Sequence, residues 1–160
     1  MPAAAFPIRA RTQKLGGVYL ADSLATAVAE AIVRDCKDGY PGIMSMSRDE
    51  AVGRWKVFEI STTAPLQLLN LSGTGLMFAG ISTDILRQAD HTKSQQLSIA
   101  VHTHDAHFDG ILYQSRFFGE CICVYNRVVS KLMESGADLL SNLEGSLAPI
   151  FTQMGIQIVR

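Results

Sequence analysis

Glu30 and Tyr19 are the first residues in the chain whose types and setting can do chemistry. The stretch Gly16–Arg34 reads as a short strand, Val18–Leu20, that turns directly into a helix, Ser23–Arg34. Asp22 or Ser23 can cap that helix by accepting a hydrogen bond from a free backbone N–H of its first turn. Tyr19 sets a phenolic ring just before the helix, and Glu30 sets a carboxylate near its middle. A fixed carboxylate can stabilise positive charge developing on a sugar ring, or activate a hydroxyl or phosphate nucleophile. On a helical wheel Leu24, Val28, Ala31 and Ile32 form the apolar face, and Glu30 falls nearly opposite with Thr26 and Arg34. Two readings stay open: a solvated glutamate paired with Arg34 one turn on, or a second helix face that lines a cleft.

Three other groups deserve the same scrutiny. Tyr113-Gln114-Ser115-Arg116 ends a strand, and a serine beside an arginine can hold a phosphate. An ordinary surface strand end is the alternative, and Gly-x-Ser-x-Gly is absent. His102-Thr103-His104-Asp105-Ala106-His107 is close to the His-x-His-x-Asp-His pattern that holds catalytic zinc. Here position 106 is alanine and no histidine follows His107, so no metal site is expected. A metal-dependent hydrolase at His102, His104 and His107 is kept only as a third reading. Gly73-Thr74-Gly75 lacks the lysine of a phosphate-binding loop and the full dinucleotide fingerprint, and reads as a turn.

The elements that must position these residues mix strands and helices without a regular strand–helix alternation. That favours an α+β fold, a mixed or antiparallel central sheet with flanking helices. Met1–Leu15 reads as an N-terminal arm or loop, because Pro2 and Pro7 discourage regular structure. Asp38–Gly42 is turn chemistry. Trp55–Ser61 and Leu66–Leu71 alternate as strands, and residues 43–54 are ambiguous. Ile81–Ala89 reads as a short helix and Thr92–His104 as a longer one. Phe108-Asp109-Gly110 turns into a strand, Ile111–Ser115, that pairs with Glu120–Tyr125 across Arg116–Gly119. Ala137–Met154 reads as helical around Leu139, Leu140, Leu143, Leu147 and Ile150, and Ile156–Val159 as a last strand.

Composition narrows the class. The chain has 160 residues, 48% hydrophobic and 18% charged, which suits one globular domain, 1–160. A net charge of −1 with no basic cluster argues against direct nucleic-acid binding. Cys36, Cys121 and Cys123 cannot all pair within the chain and show no Cys-x-x-Cys spacing, so buried free thiols in a reducing cytoplasm are expected. No apolar run reaches the ~18 residues of a membrane helix. Met1–Arg11 carries only a short apolar patch and no charged leader, so a signal peptide is not expected.

Taken in order, these pieces resemble the RES domain family. Tyr19-Leu20-Ala21-Asp22-Ser23, with Thr26-Ala27 and Ala29-Glu30, looks like its first signature. Phe108-Asp109-Gly110-Ile111-Leu112-Tyr113, with Ser115-Arg116, looks like its second. Leu66–Gly73 and Gln95–His104 also look familial, so the resemblance covers roughly residues 6–127. It implies a bacterial toxin of the RES–Xre type with a fold similar to ADP-ribosyltransferases. Such toxins attack NAD⁺ at the nicotinamide–ribose bond by hydrolysis or phosphorolysis, and some members transfer ADP-ribose to a protein. The resemblance maps the family glutamate onto Glu30, the tyrosine onto Tyr19 and the serine onto Ser115. The family's upstream arginine–aromatic pair is absent, because Ala5 precedes Phe6. The resemblance therefore places the arginine at Arg9, with Arg11 as the fallback.

In that scheme Glu30 stabilises the ribosyl cation or orients a nucleophile, and Tyr19 stacks on the nicotinamide. The arginine and Ser115 bind pyrophosphate or ribose. NAD⁺ is a consumed substrate, no other cofactor is implied, and the lack of a Rossmann fingerprint agrees. The implied partner is an Xre-like antitoxin blocking the NAD⁺ cleft, and the resemblance favours a homodimer. A non-catalytic binding module that keeps the fold and the antitoxin surface is the reading from another class.

Overall fold

The computed structural model describes residues 3–5, 16–34, 41–82, 92–117 and 119–159. Its centre is a seven-stranded sheet. In chain order the strands are β1 (Ala3–Ala5), β2 (Gly17–Ala21), β4 (Lys56–Thr62), β5 (Leu68–Leu71), β6 (Gly110–Gln114), β7 (Glu120–Tyr125) and β8 (Leu132–Leu139). They lie in the order β5-β6-β7-β2-β1-β4-β8. Only β5 and β6 run parallel; every other neighbouring pair is antiparallel. Two further strands, β3 (Met44–Ser47) and β9 (Ile156–Val159), form a separate parallel pair. The helices are α1 (Leu24–Val28), α2 (Gly75–Ala79), α3 (Thr92–Thr103) and α4 (Glu144–Gln153). The architecture is α+β with a mixed sheet, as the unpatterned mixture of elements implied.

Side chains of paired antiparallel residues share a face. Tyr19 lies opposite Cys123, and Ala21 opposite Cys121. Cys123 in turn faces Ile111, and Cys121 faces Tyr113. One face of the sheet thus carries Tyr19, Ala21, Cys121, Cys123, Ile111 and Tyr113. Helix α1 packs at the Ala21–Cys121 end of this face, in a core shared with Leu147 and Phe151 of α4. Helix α3 packs at the other end, where Leu97 and Val101 meet Leu71, Ile111 and Tyr125. The opposite face buries Leu20, Val124 and Val128. Leu71, Leu140, Leu147 and Tyr125 are fully buried, each stabilising the fold by roughly 1.5–3 kcal/mol.

Several elements differ from the sequence reading. The N-terminal arm is not wholly irregular: Ala3–Ala5 forms a strand between β2 and β4. The two prolines fall on either side of these three residues in the sequence, so neither removes a donor from that ladder. The apolar spacing at 137–154 spans two kinds of structure. Leu132–Leu139 is a strand paired with β4, a short 3₁₀ turn covers Leu140–Leu143, and the helix starts at Glu144. Leu139 is 45% exposed while Leu140 is fully buried, because they belong to different elements. The Ser-Gly-Thr-Gly turn opens a short helix, α2, read only as a turn from sequence. Residues 43–54 resolve into β3 and a π-helical turn, Asp49–Gly53. Strands at 56–62, 68–71, 110–114, 120–125 and 156–159, and the helix from Thr92, lie where alternation and spacing put them. Most of the helix read at Ile81–Ala89, most of the Asp38–Gly42 turn, and Cys36 fall outside the described residues; Cys121 and Cys123 are free thiols. Among the described residues no helix is long and apolar enough to cross a membrane.

The Asp109-Gly110 pair locks the sheet together. Asp109 Oδ2 accepts from the Gln67 amide at 2.9 Å and from Lys131 Nζ at 2.8 Å. The Asp109 carbonyl accepts from Tyr125 N at 2.9 Å. A side chain at 110 would overlap the Cys123 carbonyl, so glycine is required by close approach. Burial works to raise the Asp109 carboxyl, but the Lys131 and Gln67 hydrogen bonds and the Lys131 and Arg127 charges outweigh it and hold it below its ordinary 3.8. A depressed folded value adds stability above about pH 4 that is lost as pH falls through it. Asp109→Asn is therefore expected to cost about 2 kcal/mol near neutrality. Urea titrations from pH 6 to pH 2 check this: the gap to wild type narrows below about pH 4.

Candidate active site

The site is built where the helix that follows β2 meets the turn between β6 and β7. Ser23 is extended and caps α1, its hydroxyl accepting from Thr26 N at 3.1 Å. Asp22 does not cap; it ties the helix start to the distant turn. Its Oδ1 accepts from Thr26 Oγ1 at 2.7 Å and its Oδ2 from Glu120 N at 2.9 Å. Its own N–H donates to the Glu120 carbonyl at 3.0 Å. The α-helical geometry ends at Val28, and Ala29–Val33 is a π-helical turn. A wheel drawn at 3.6 residues per turn therefore loses phase just before Glu30.

Glu30 is only 8% exposed, which overturns the reading of it as a solvated residue. The pairing with Arg34 that accompanied that reading is present, with Nη1 donating to Oε2 at 3.0 Å. The other carboxylate oxygen, Oε1, accepts from Ser115 Oγ at 2.7 Å, a bond between residues 85 apart in the chain. Ser115 is itself buried, and its Oγ also accepts from Phe117 N at 3.2 Å. The face that looked polar on the wheel is thus covered by the β6–β7 turn. Thr26, on the same face, is fully buried for the same reason.

Tyr19 stands on the sheet between the ends held by α1 and α3, and its side chain is 39% exposed. Burial first, and then the neighbouring Cys123, push its hydroxyl up to about 12, so it remains a protonated donor at neutral pH. Tyr113 was given no role of its own in the sequence reading. Burial first, then Cys121 and Glu30, hold its hydroxyl well above the ordinary tyrosine range. Cys121 is pushed up to about 12, chiefly by burial, so it is a thiol and not a nucleophilic thiolate. The signal for Tyr113 in the sequence was its place at the end of the second family-like segment, Phe108–Tyr113, two residues before Ser115.

The structure brings Glu30, Ser115, Arg34 and Tyr113 together, with Tyr19 on the same sheet face. Arg9 and Arg11 lie outside the described residues. Arg116, paired with Ser115 as a phosphate holder in the sequence reading, is exposed. Among the described residues the histidines do not converge. His102 packs edge-on against Tyr125 at 4.9 Å, and His104 leans on Phe108 while its Nδ1 accepts from Ala106 N. Among the described residues no three His, Cys, Asp or Glu side chains are placed to hold a metal ion.

The buried glutamate is thus held by a serine and an arginine, at the end of a sheet face that also carries the partly exposed ring of Tyr19. The RES domain family model matches residues 1–139, and the chain belongs to that family. It is 32% identical over 101 residues to the protein named "Probable toxin y4kH" of Sinorhizobium fredii, covering 62% of this chain and 80% of that one. Its fold is similar to a chain of the M. tuberculosis MbcT–MbcA toxin–antitoxin complex, with a TM-score of 0.63 and 15% identity. That match covers 90% of this chain and 88% of the other.

Proposed function

We propose that this chain is the toxin of a toxin–antitoxin pair, and that it breaks the nicotinamide–ribose bond of NAD⁺ and passes the ADP-ribose to water or to phosphate. Membership of the RES family and the toxins among its relatives support the first half. The observation that carries the second is the bond from Ser115 to Glu30, which joins the two sequence signatures at one buried carboxylate. Breaking the bond to nicotinamide leaves oxocarbenium character on the ribose. A carboxylate already oriented in a partly dry site stabilises that charge without reorganising. In this scheme Glu30 supplies the charge and Ser115 fixes its direction. The open ring of Tyr19 stacks on nicotinamide, and Arg9 or Arg11 contacts the pyrophosphate or the ribose. The remaining parts of the proposal are an Xre-like antitoxin that covers this site, a homodimer in the cytoplasm, and no cofactor beyond the substrate.

The test is release of nicotinamide from NAD⁺ by the purified protein, in phosphate-free buffer and in phosphate. Nicotinamide is expected in at least one of them, with ADP-ribose as co-product in the first and its 1″-phosphate in the second. No release in either buffer overturns the catalytic reading.

A further inference from the structure

The Glu30–Arg34 pair poses a problem for the proposed chemistry. A carboxylate meant to stabilise a cation is already offset by a guanidinium 3.0 Å from Oε2. Two features show how that pair is arranged. Arg34 is 32% exposed while Glu30 is 8% exposed, so an incoming ligand meets the guanidinium first. The Arg34 charge is also felt at the Tyr19 hydroxyl, so the guanidinium lies within electrostatic reach of that partly exposed ring. Ser115 holds the other oxygen from the interior and does not depend on Arg34.

We propose that Arg34 takes part in recognising the substrate's pyrophosphate, and that in binding it the guanidinium exchanges Glu30 for phosphate oxygens. This rests on the reading of NAD⁺ as substrate and deepens it. Arginine presents a planar fork of donors that matches phosphate in two-point contact, and a diphosphate offers it more negative charge than one carboxylate does. After the exchange Oε2 is left without its cation, and Oε1 is still held by Ser115. The carboxylate then faces the ribose with its charge no longer offset. The recognised class is a nucleoside diphosphate or dinucleotide, and a nucleoside without phosphates does not trigger the exchange.

Equilibrium binding by calorimetry tests this without requiring turnover. The ligands are ADP-ribose and adenosine, and the proteins are wild type, Arg34→Lys and Arg34→Gln. Arg34→Gln is expected to weaken ADP-ribose about tenfold or more and to leave adenosine unchanged. Arg34→Lys keeps the charge but loses the fork, and falls between the two. Equal ADP-ribose affinity in wild type and Arg34→Gln overturns the proposal. So does parallel weakening of both ligands, which is what a purely structural role would give. A wild type that binds ADP-ribose through Arg34 yet releases no nicotinamide keeps this inference and removes the catalytic one.

Discussion

Glu30→Gln is expected to lower nicotinamide release by about 10²–10³-fold, the usual cost of removing one preorganised electrostatic group from a reacting centre. The substitution keeps the shape of the side chain. Its amide oxygen can still accept from Ser115, so the 2.7 Å bond that orients it survives. What is lost is the negative charge, and with it the ion pair to Arg34. That loss costs little stability, because burying a carboxylate is itself unfavourable and Arg34 is partly hydrated already. The melting temperature is therefore expected to stay within a few degrees of wild type or to rise, as is common when a charged functional group is replaced. Steady-state release of nicotinamide and a thermal melt on the same preparation check both halves. Glu30→Asp gives the complementary result. It keeps the charge but withdraws it from Ser115 by one methylene, and it should recover only part of the rate. Unchanged turnover in Glu30→Gln would remove this residue from the mechanism.

How far the sequence went is clearest at this residue. The helix, its capping serine and the pairing with Arg34 are all local, and all could be read from spacing. The burial of Glu30 is not local. The side chain that covers it, Ser115, arrives from 85 residues away, and no periodicity within 23–34 records that. The π-helical turn added a second error, since it shifts the phase of the wheel where the face mattered. Only the likeness of the two separated segments to family signatures pointed to their meeting. Strand β8 shows the opposite limit. Its sequence, Leu-Met-Glu-Ser-Gly-Ala-Asp-Leu, has no clean alternation, and its residues are largely exposed at the sheet edge. Pairing with β4 makes it a strand, and the leucines that follow it suggested a helix beginning too early.

Gly119→Ala is expected to cause the largest loss of any single methyl group added to the chain near the site. Gly119 has a φ of +74°, where a side chain costs about 1 kcal/mol or more. A methyl group there would also overlap Thr26 Oγ1 and the Asp22 carboxylate. Those two groups hydrogen-bond to each other at 2.7 Å, and Asp22 holds the Glu120 amide at 2.9 Å. Neither is the far end of a flexible chain, so the turn must lift away from the helix. The Gly119 carbonyl accepts from Ser115 N at 3.1 Å, so lifting the turn also draws Ser115 from Glu30. A total cost of roughly 2–4 kcal/mol follows, of the order seen when close-packed groups are forced apart. Gly73→Ala separates the two contributions. Gly73 has a φ of +52° but nothing within 4 Å of an added methyl, so it bears the backbone cost alone, about 1 kcal/mol. Urea unfolding of both variants measures the difference. Activity distinguishes them further: a displacement of about 1 Å at Ser115 is worth about 10²-fold in rate. Gly119→Ala should therefore lose turnover under conditions where it is still fully folded, and Gly73→Ala should not. Equal stability losses in the two variants would mean that the turn yields without pressing on Asp22 and Thr26, and that the clamp between the two halves of the site is looser than its hydrogen bonds imply.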